Sequence, residues 1–244
     1  MPSLVGRVSR GPGLPVFVAW ASLSFMVLST VAFWPAYLSR PARTVDLYTH
    51  AHAALGAAWL IVLFAQSRLA QARRHAAHRI VGWSSVTMVV LFVGSSLFLA
   101  HYRFSRMDPA TFEREAYTLY LPLSAALLVA ASYALALAHR RVIALHARFM
   151  ACTAVPLVDP VLGRVLSAYV VDLPQLWHYQ LITYGVESAA LLMMYTSLAT
   201  SRADKLRFGT FAAAFITVLI LWFVVPHTAA WHRWADSFRG WPIT

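Results

Sequence analysis

One cysteine, one lysine and nine acids are all that 244 residues contain of these types, and each shortage excludes something. A single thiol, Cys152, forms no internal disulfide and offers no C-x-x-C pair for zinc or redox chemistry. The single lysine, Lys205, falls in a joint between apolar runs. No intramembrane lysine is therefore available for a retinal Schiff base. Charged residues are 12% of the chain and hydrophobic ones 60%, which excludes an ordinary soluble domain. There is no long linker, no low-complexity tract and no H-E-x-x-H metal signature.

What is present is a series of long apolar runs divided by short basic joints. Seven runs approach or exceed the roughly 18 to 20 residues that cross a bilayer core. They cover residues 14–34, 47–67, 80–100, 116–138, 149–171, 179–199 and 208–226. Barrel strands are half that length and alternate in polarity, so the expectation is an all-α bundle of seven transmembrane helices forming one integral membrane domain over residues 1–244. The first run exceeds the apolar core of a signal peptide, and no A-x-A-like site follows Trp34, so no cleaved leader is expected.

Charge sets the expected orientation. With the N-terminus in the cytoplasm, the inner joints hold Arg7, Arg10, Arg68, Arg73, Arg74, Arg79, Arg140, Arg141, Arg148, Arg202, Lys205 and Arg207, against one acid, Asp204. In the outer joints, Arg40, Arg43, Arg103, Arg106, Arg114, Arg233 and Arg239 are nearly cancelled by Asp46, Asp108, Glu113, Glu115, Asp172 and Asp236. Positive charge concentrates on the cytoplasmic side of membrane proteins, which places the C-terminus outside. The formal net charge of +11 then reads as attraction to anionic membrane lipids, with no nucleic acid partner. Arginine used almost to the exclusion of lysine, with abundant alanine, suggests a GC-rich bacterial genome and hence the inner membrane.

Polar residues inside spans carry the functional information, because a charge at mid-membrane costs about 2.5–3.5 kcal/mol on insertion scales. Asp159 and Arg164 lie on the fifth run and Glu187 on the sixth. At about 1.5 Å per residue, Arg164, Glu187 and Asp159 sit roughly 10, 13 and 18 Å below the outer surface. The expectation is a buried Arg164–Glu187 pair with Asp159 one step further in. It would act as a proton relay, as the counter-ion set of a small proton-coupled transporter, or only as an ion lock between two helices. Pro160 predicts an interrupted helix beside Asp159.

The ten histidines divide by side. His52 recurs with Trp59 and Gln66 every seven residues, one stripe of a helix expected to face the bundle. His101 and His178 end and begin their spans at the outer boundary, so the three imidazoles are expected to meet above Arg164 and Glu187. Two chemistries use such an inventory. Paired axial imidazoles hold haem b, with Arg164 on a propionate, in a membrane redox protein that exchanges electrons with a quinone or a redox partner. Alternatively His52 and His178 with Glu187 or Asp159 hold zinc or iron, as in a membrane hydrolase or oxygenase. On the inner side, HRIVG from His78 and HARFM from His146 each put a histidine and an arginine in the first turn of a span, where an anion such as a lipid phosphate or haem propionate is favoured.

Taken in order, His52 and Gln66, His78-Arg79-x-x-Gly82, His146-x-Arg148-x-Met150, Arg164 and Glu187 resemble an uncharacterised family of bacterial polytopic membrane proteins. That family has a His-x13-Gln span, a His-Arg-Trp-Leu-Gly motif, a His-Arg-Arg-Trp-Met motif, and a later Arg and Glu. The resemblance covers residues 47–199. Ile80 and Val81 stand where the family has Trp-Leu, and Ala147 where it has Arg. The resemblance implies a polytopic fold and an order of motifs. A looser similarity to haem b membrane proteins lies in span number and paired histidines. His78 and His146, from the two inner-face motifs, are the candidate cofactor contacts at that face.

Overall fold

A computed structural model describes residues 14–197 and 200–244. Among them the structure is helical, with no strand. The ten α-helices are α1 Leu14–Phe33, α2 Leu47–Gln71, α3 His75–Ser105, α4 Pro109–Glu115, α5 Tyr120–Ala138, α6 Ile143–Cys152, α7 Val158–Val165, α8 Leu176–Thr196, α9 Arg202–Leu221 and α10 Ala229–Arg239. Six helical stretches are long and apolar enough to cross a membrane: Leu14–Leu38, Leu47–Gln71, His75–Ser105, Pro109–Ala138, Ile143–Val170 and Arg202–His227. They correspond to six of the seven runs. The run at 179–199 forms α8, 21 residues long, which is not among the six. Its interior carries Gln180, Thr183, Tyr184 and Glu187, and these lower its hydropathy. Arg7 and Arg10, used for the orientation, and Leu198 and Ala199, at the end of the sixth run, lie outside the described residues.

Local chemistry sets the helix starts. Asp46 accepts from the Thr49 backbone N–H at 2.8 Å and caps α2. Asp108 caps α4, with Pro109 at its first position. Ser201 caps α9: its Oγ accepts from the Asp204 N–H at 3.1 Å and donates to the Asp204 carboxylate at 2.9 Å. Between α2 and α3 the chain reverses in three residues. Arg73 takes φ 55°, its N–H reaches Ala70 O and the Arg74 N–H reaches Leu69 O. That is a Schellman stop with arginine where glycine fits without strain.

The helices pack in sequence around a common core: α2 against α1 and α3, α3 against α5, α5 against α6, α7 against α1 and α8, and α8 against α9. Trp59, Leu63, Val89, Phe92, Val129 and Tyr133 fill the space between α2, α3 and α5. A second cluster, with Phe149, Leu191, Phe208, Phe215 and Trp222, joins α6, α8 and α9. At one end α10 lies across α3 and the turn before α5, where Trp231 Nε1 donates to Ala116 O. The opposite end carries the arginine-rich joints α2–α3, α5–α6 and α8–α9.

The fifth run is not one helix. α6 stops at Cys152, a 3-10 turn follows at Val155–Leu157 with Pro156 in its first turn, and α7 restarts at Val158. Pro156 has no N–H to continue the ladder from α6, and it is buried at the break. Pro160 falls in the first turn of α7, where its missing N–H would have had no partner in any case. An interruption beside Asp159 is present, but Pro156 makes it and not Pro160, on which the expectation rests, and it leaves free backbone donors in the middle of a run.

Candidate functional site

Asp159 and Glu187 meet at that break. The Asp159 N–H, unpaired because it opens α7, donates to Glu187 Oε1 at 3.1 Å. A carboxyl from one helix thus caps another, where the helix dipole also favours negative charge. The Asp159 carboxyl is held in turn from α8: Thr183 Oγ1 donates to Oδ1 at 2.6 Å, and Gln180 Nε2 approaches Oδ2 at 3.4 Å. Gln180, Thr183 and Glu187 are spaced i, i+3 and i+7, so they form one stripe of α8. All three are buried, and Glu187 is 1% exposed. Its second oxygen, Oε2, is buried without a hydrogen-bond partner. Ser124, Leu128, Pro156, Tyr184, Asp159 and Glu187 line a cavity of about 10 Å³. That is roughly the smallest space that holds one water.

Arg164 does not pair with either acid. The ion pairs among the described residues are Arg207–Asp204 and Arg239–Asp236, each within one helix. Arg164 turns back to donate to Pro160 O at 2.7 Å and lies over the Phe33 ring of α1. Helix geometry accounts for the failed expectation. Five residues advance about 7.5 Å along α7 and about 140° around it. Asp159 therefore faces α8 while Arg164 faces α1. The acid pair is left with hydrogen bonds and no cation within 4 Å.

Each histidine at the α10 end engages a different neighbour. His52 Nδ1 donates to Ser95 Oγ at 3.1 Å, since that hydroxyl spends its own proton on Phe92 O, and the ring stacks on Phe92. His101 is 1% exposed, bonded through Nδ1 to Thr244 Oγ1 and set edge-on to Phe238. His178 bonds Gln175 O and stacks on Trp177. No group of three or more His, Cys, Asp or Glu side chains disposed to hold a metal occurs among the described residues. The His52 stripe does face inward: Trp59 Nε1 donates to Thr153 Oγ1 at the break, and Gln66 Nε2 donates to His78 O.

The arginine-rich end brings His78 and His146 together, with ring centroids 6.4 Å apart. Arg148, two residues beyond His146, is buried and spans the α6–α8 contact. Its Nε donates to Met194 O at 2.8 Å, and its Nη2 donates to Ser197 O at 2.8 Å. A cation on the last carbonyls of a helix also meets the negative end of its dipole. The sequence read Arg148 as positive charge of a joint and as the arginine of the HARFM anion motif, but its guanidinium is spent on the oxygens of Met194, Ala144 and Ser197, and that role as a helix clamp had no local signal. The polar stripe of α8 did have one, the i, i+3, i+7 spacing, and that reading was missed.

The fold defines the class: an all-helical bundle with six apolar helices of membrane-crossing length, which supports a multi-pass membrane protein. Beyond the class there is no relative to add. No protein-family model, curated protein or solved structure matches the chain.

Proposed function

We propose that the chain is a proton-coupled carrier of the bacterial inner membrane, with α8 as an additional span and the N-terminus in the cytoplasm. At about 1.5 Å per residue α8 reaches roughly 32 Å, enough for the hydrocarbon core. Its carboxyl, Glu187, and its amide, Gln180, are buried in the bundle and are not offered to lipid. The arginine-rich joints share one end, as the positive-inside orientation requires.

One observation carries the proton reading. Two carboxyls share a buried site at a helix break, one holding the other's backbone N–H, with a spare oxygen, a water-sized cavity and, among the described residues, no cation within 4 Å. Intramembrane acids without a counter-ion mark proton and ion paths. In the proposed cycle, Glu187 Oε1 grips the α7 N-terminus as a carboxylate and weakens that grip on taking a proton at Oε2 from the cavity. Asp159 stays anchored by Thr183 and Gln180 throughout. Moving one proton therefore alters the docking of α7 on α8.

Infrared difference spectra of the purified protein, recorded across a pH titration, provide the test. The wild type is expected to show a titrating carboxylic-acid carbonyl band that E187Q removes. Proteoliposomes carrying E187Q are expected to lose proton uptake while the variant still accumulates in the membrane. A titrating band that persists in both E187Q and D159N overturns the reading. So does a reduced-haem α-band in the visible spectrum of the same preparation, which would put haem b and electron transfer in its place.

A further inference from the structure

The acid pair leaves the arginine-rich end of the bundle unexplained. There two helices deliver imidazoles to one place, and two buried polar atoms beside them have no partner. His146 Nδ1 lies 2.9 Å from Ala136 O. A carbonyl only accepts, so Nδ1 carries the proton, and Nε2 of the neutral ring keeps its lone pair. A backbone carbonyl fixing one ring nitrogen is the usual means by which the other is presented to a metal. His78 Nδ1 is buried without a partner. Gln66 Nε2 is spent on His78 O at 3.0 Å, and its Oε1 is also buried without a partner. Gly82 makes room for this amide, since a Cβ there would stand 3.3 Å from Gln66 Nε2.

The donor set decides what fits. Basic side chains surround this end, at Arg74 and Arg79, and on charge alone an anion would be favoured. An anion needs hydrogen-bond donors at its centre. Gln66 Oε1 is an acceptor only, and His146 Nε2 is one in the tautomer fixed by Ala136. Two lone pairs and an open imidazole nitrogen call for a cation or a proton donor. Metal–imidazole bonds of about 2.0–2.1 Å put each ring centroid about 3.2 Å from the ion, so two rings stand about 5.2 Å apart at a tetrahedral angle and about 6.4 Å apart when opposed. The observed 6.4 Å matches an opposed pair, and a tetrahedral site forms once the rings close by about 1 Å. We infer that His78, His146 and Gln66 form a binding site for a single first-row transition-metal ion, linking α2, α3 and α6 at the arginine-rich end. Imidazole with an amide oxygen suits zinc, copper, nickel or iron and does not suit calcium or magnesium.

Two probes test the site on the full chain after chelator treatment. Calorimetry with Zn(II) is expected to give one ion per chain, and Co(II) is expected to develop visible d–d bands on binding. H78A and H146A are each expected to weaken Zn(II) by about a hundredfold, and Q66L by about tenfold, with H232A unchanged. Q66E supplies a carboxylate oxygen at the same place and is expected to tighten binding, an outcome that a purely structural glutamine does not predict. No Zn(II) binding by the wild type, or binding that survives H78A and H146A together, overturns the inference. If either alanine variant fails to accumulate, H146N and H78N keep a polar side chain of similar size and are expected to show the same loss.

Discussion

The two halves of the broken span, α6 and α7, are both held to α8, but by opposite means. α6 is held by Arg148, a guanidinium whose nitrogens donate to backbone oxygens at the end of α8. α7 is held by Glu187, a carboxyl group that accepts one backbone N–H and keeps an oxygen in reserve. A guanidinium is charged at every physiological pH, so the first clamp is permanent. A carboxyl exists in two states, so the second can be released. In the proposed cycle this difference locates the motion: α7 redocks about the turn at Val155–Leu157 while α6 stays fixed.

The permanent clamp is where the largest stability effect is expected. R148A removes the guanidinium from the carbonyls of Met194 and Ser197, leaving Met194 O only the longer bond from Ser197 Oγ, and should cost about 2–3 kcal/mol, read as lower resistance to unfolding in detergent. R148K restores a single donor in place of a fork and should recover less than half of that loss. An R148A protein as stable as the wild type would remove the distinction between the two halves.

For the releasable clamp the expectation divides. E187A leaves the Asp159 N–H without an acceptor and should cost about 1–3 kcal/mol. E187Q keeps a carbonyl oxygen for that N–H and should cost less than about 1 kcal/mol, yet lose proton uptake altogether. Equal unfolding by both variants, with uptake intact in E187Q, would mean that Glu187 holds helices and does nothing more.

These contrasts also show what could be read before the fold. The apolar runs were legible because membrane length is a physical constant, and the break was legible because proline cannot complete a helical ladder. The inward stripe of His52, Trp59 and Gln66 was legible from a seven-residue period, and each member does bond to another helix or stack on it. Arg164 misled because opposite charges at similar depth suggested a pair, while rotation about α7 sends the two side chains to different neighbours. The partner of Arg148 lies about fifty residues away, on the last turn of another helix, and no local pattern announces it. His101 and Thr244 are 143 residues apart, and the contact depends on where α10 folds back.

A finer cut separates the anchoring of Asp159 from the grip of Glu187. T183V keeps the shape of the side chain and removes the hydroxyl that donates to Asp159 Oδ1. It should cost about 1 kcal/mol and shift the pH at which the carboxyl band titrates, because one of the two groups that fix Asp159 is gone. A stability loss with no change in the titration would assign Thr183 to packing alone.

The smallest effect is expected at the α2–α3 reversal, and it has the opposite sign. Arg73 sits at φ 55°, a conformation that crowds a Cβ and that glycine adopts freely. Its N–H and that of Arg74 close the Schellman pair through the backbone, so the side chain is not needed for the turn. R73G should therefore relieve strain by about 1 kcal/mol, less whatever the added freedom of glycine costs the folded chain. The turn joins the helix bearing Gln66 to the one bearing His78. If R73G raises stability and leaves Zn(II) affinity unchanged, the imidazole pair is held by the helices and not by the turn. If affinity falls instead, the strained reversal sets the distance between Gln66 and His78, and the metal site depends on it.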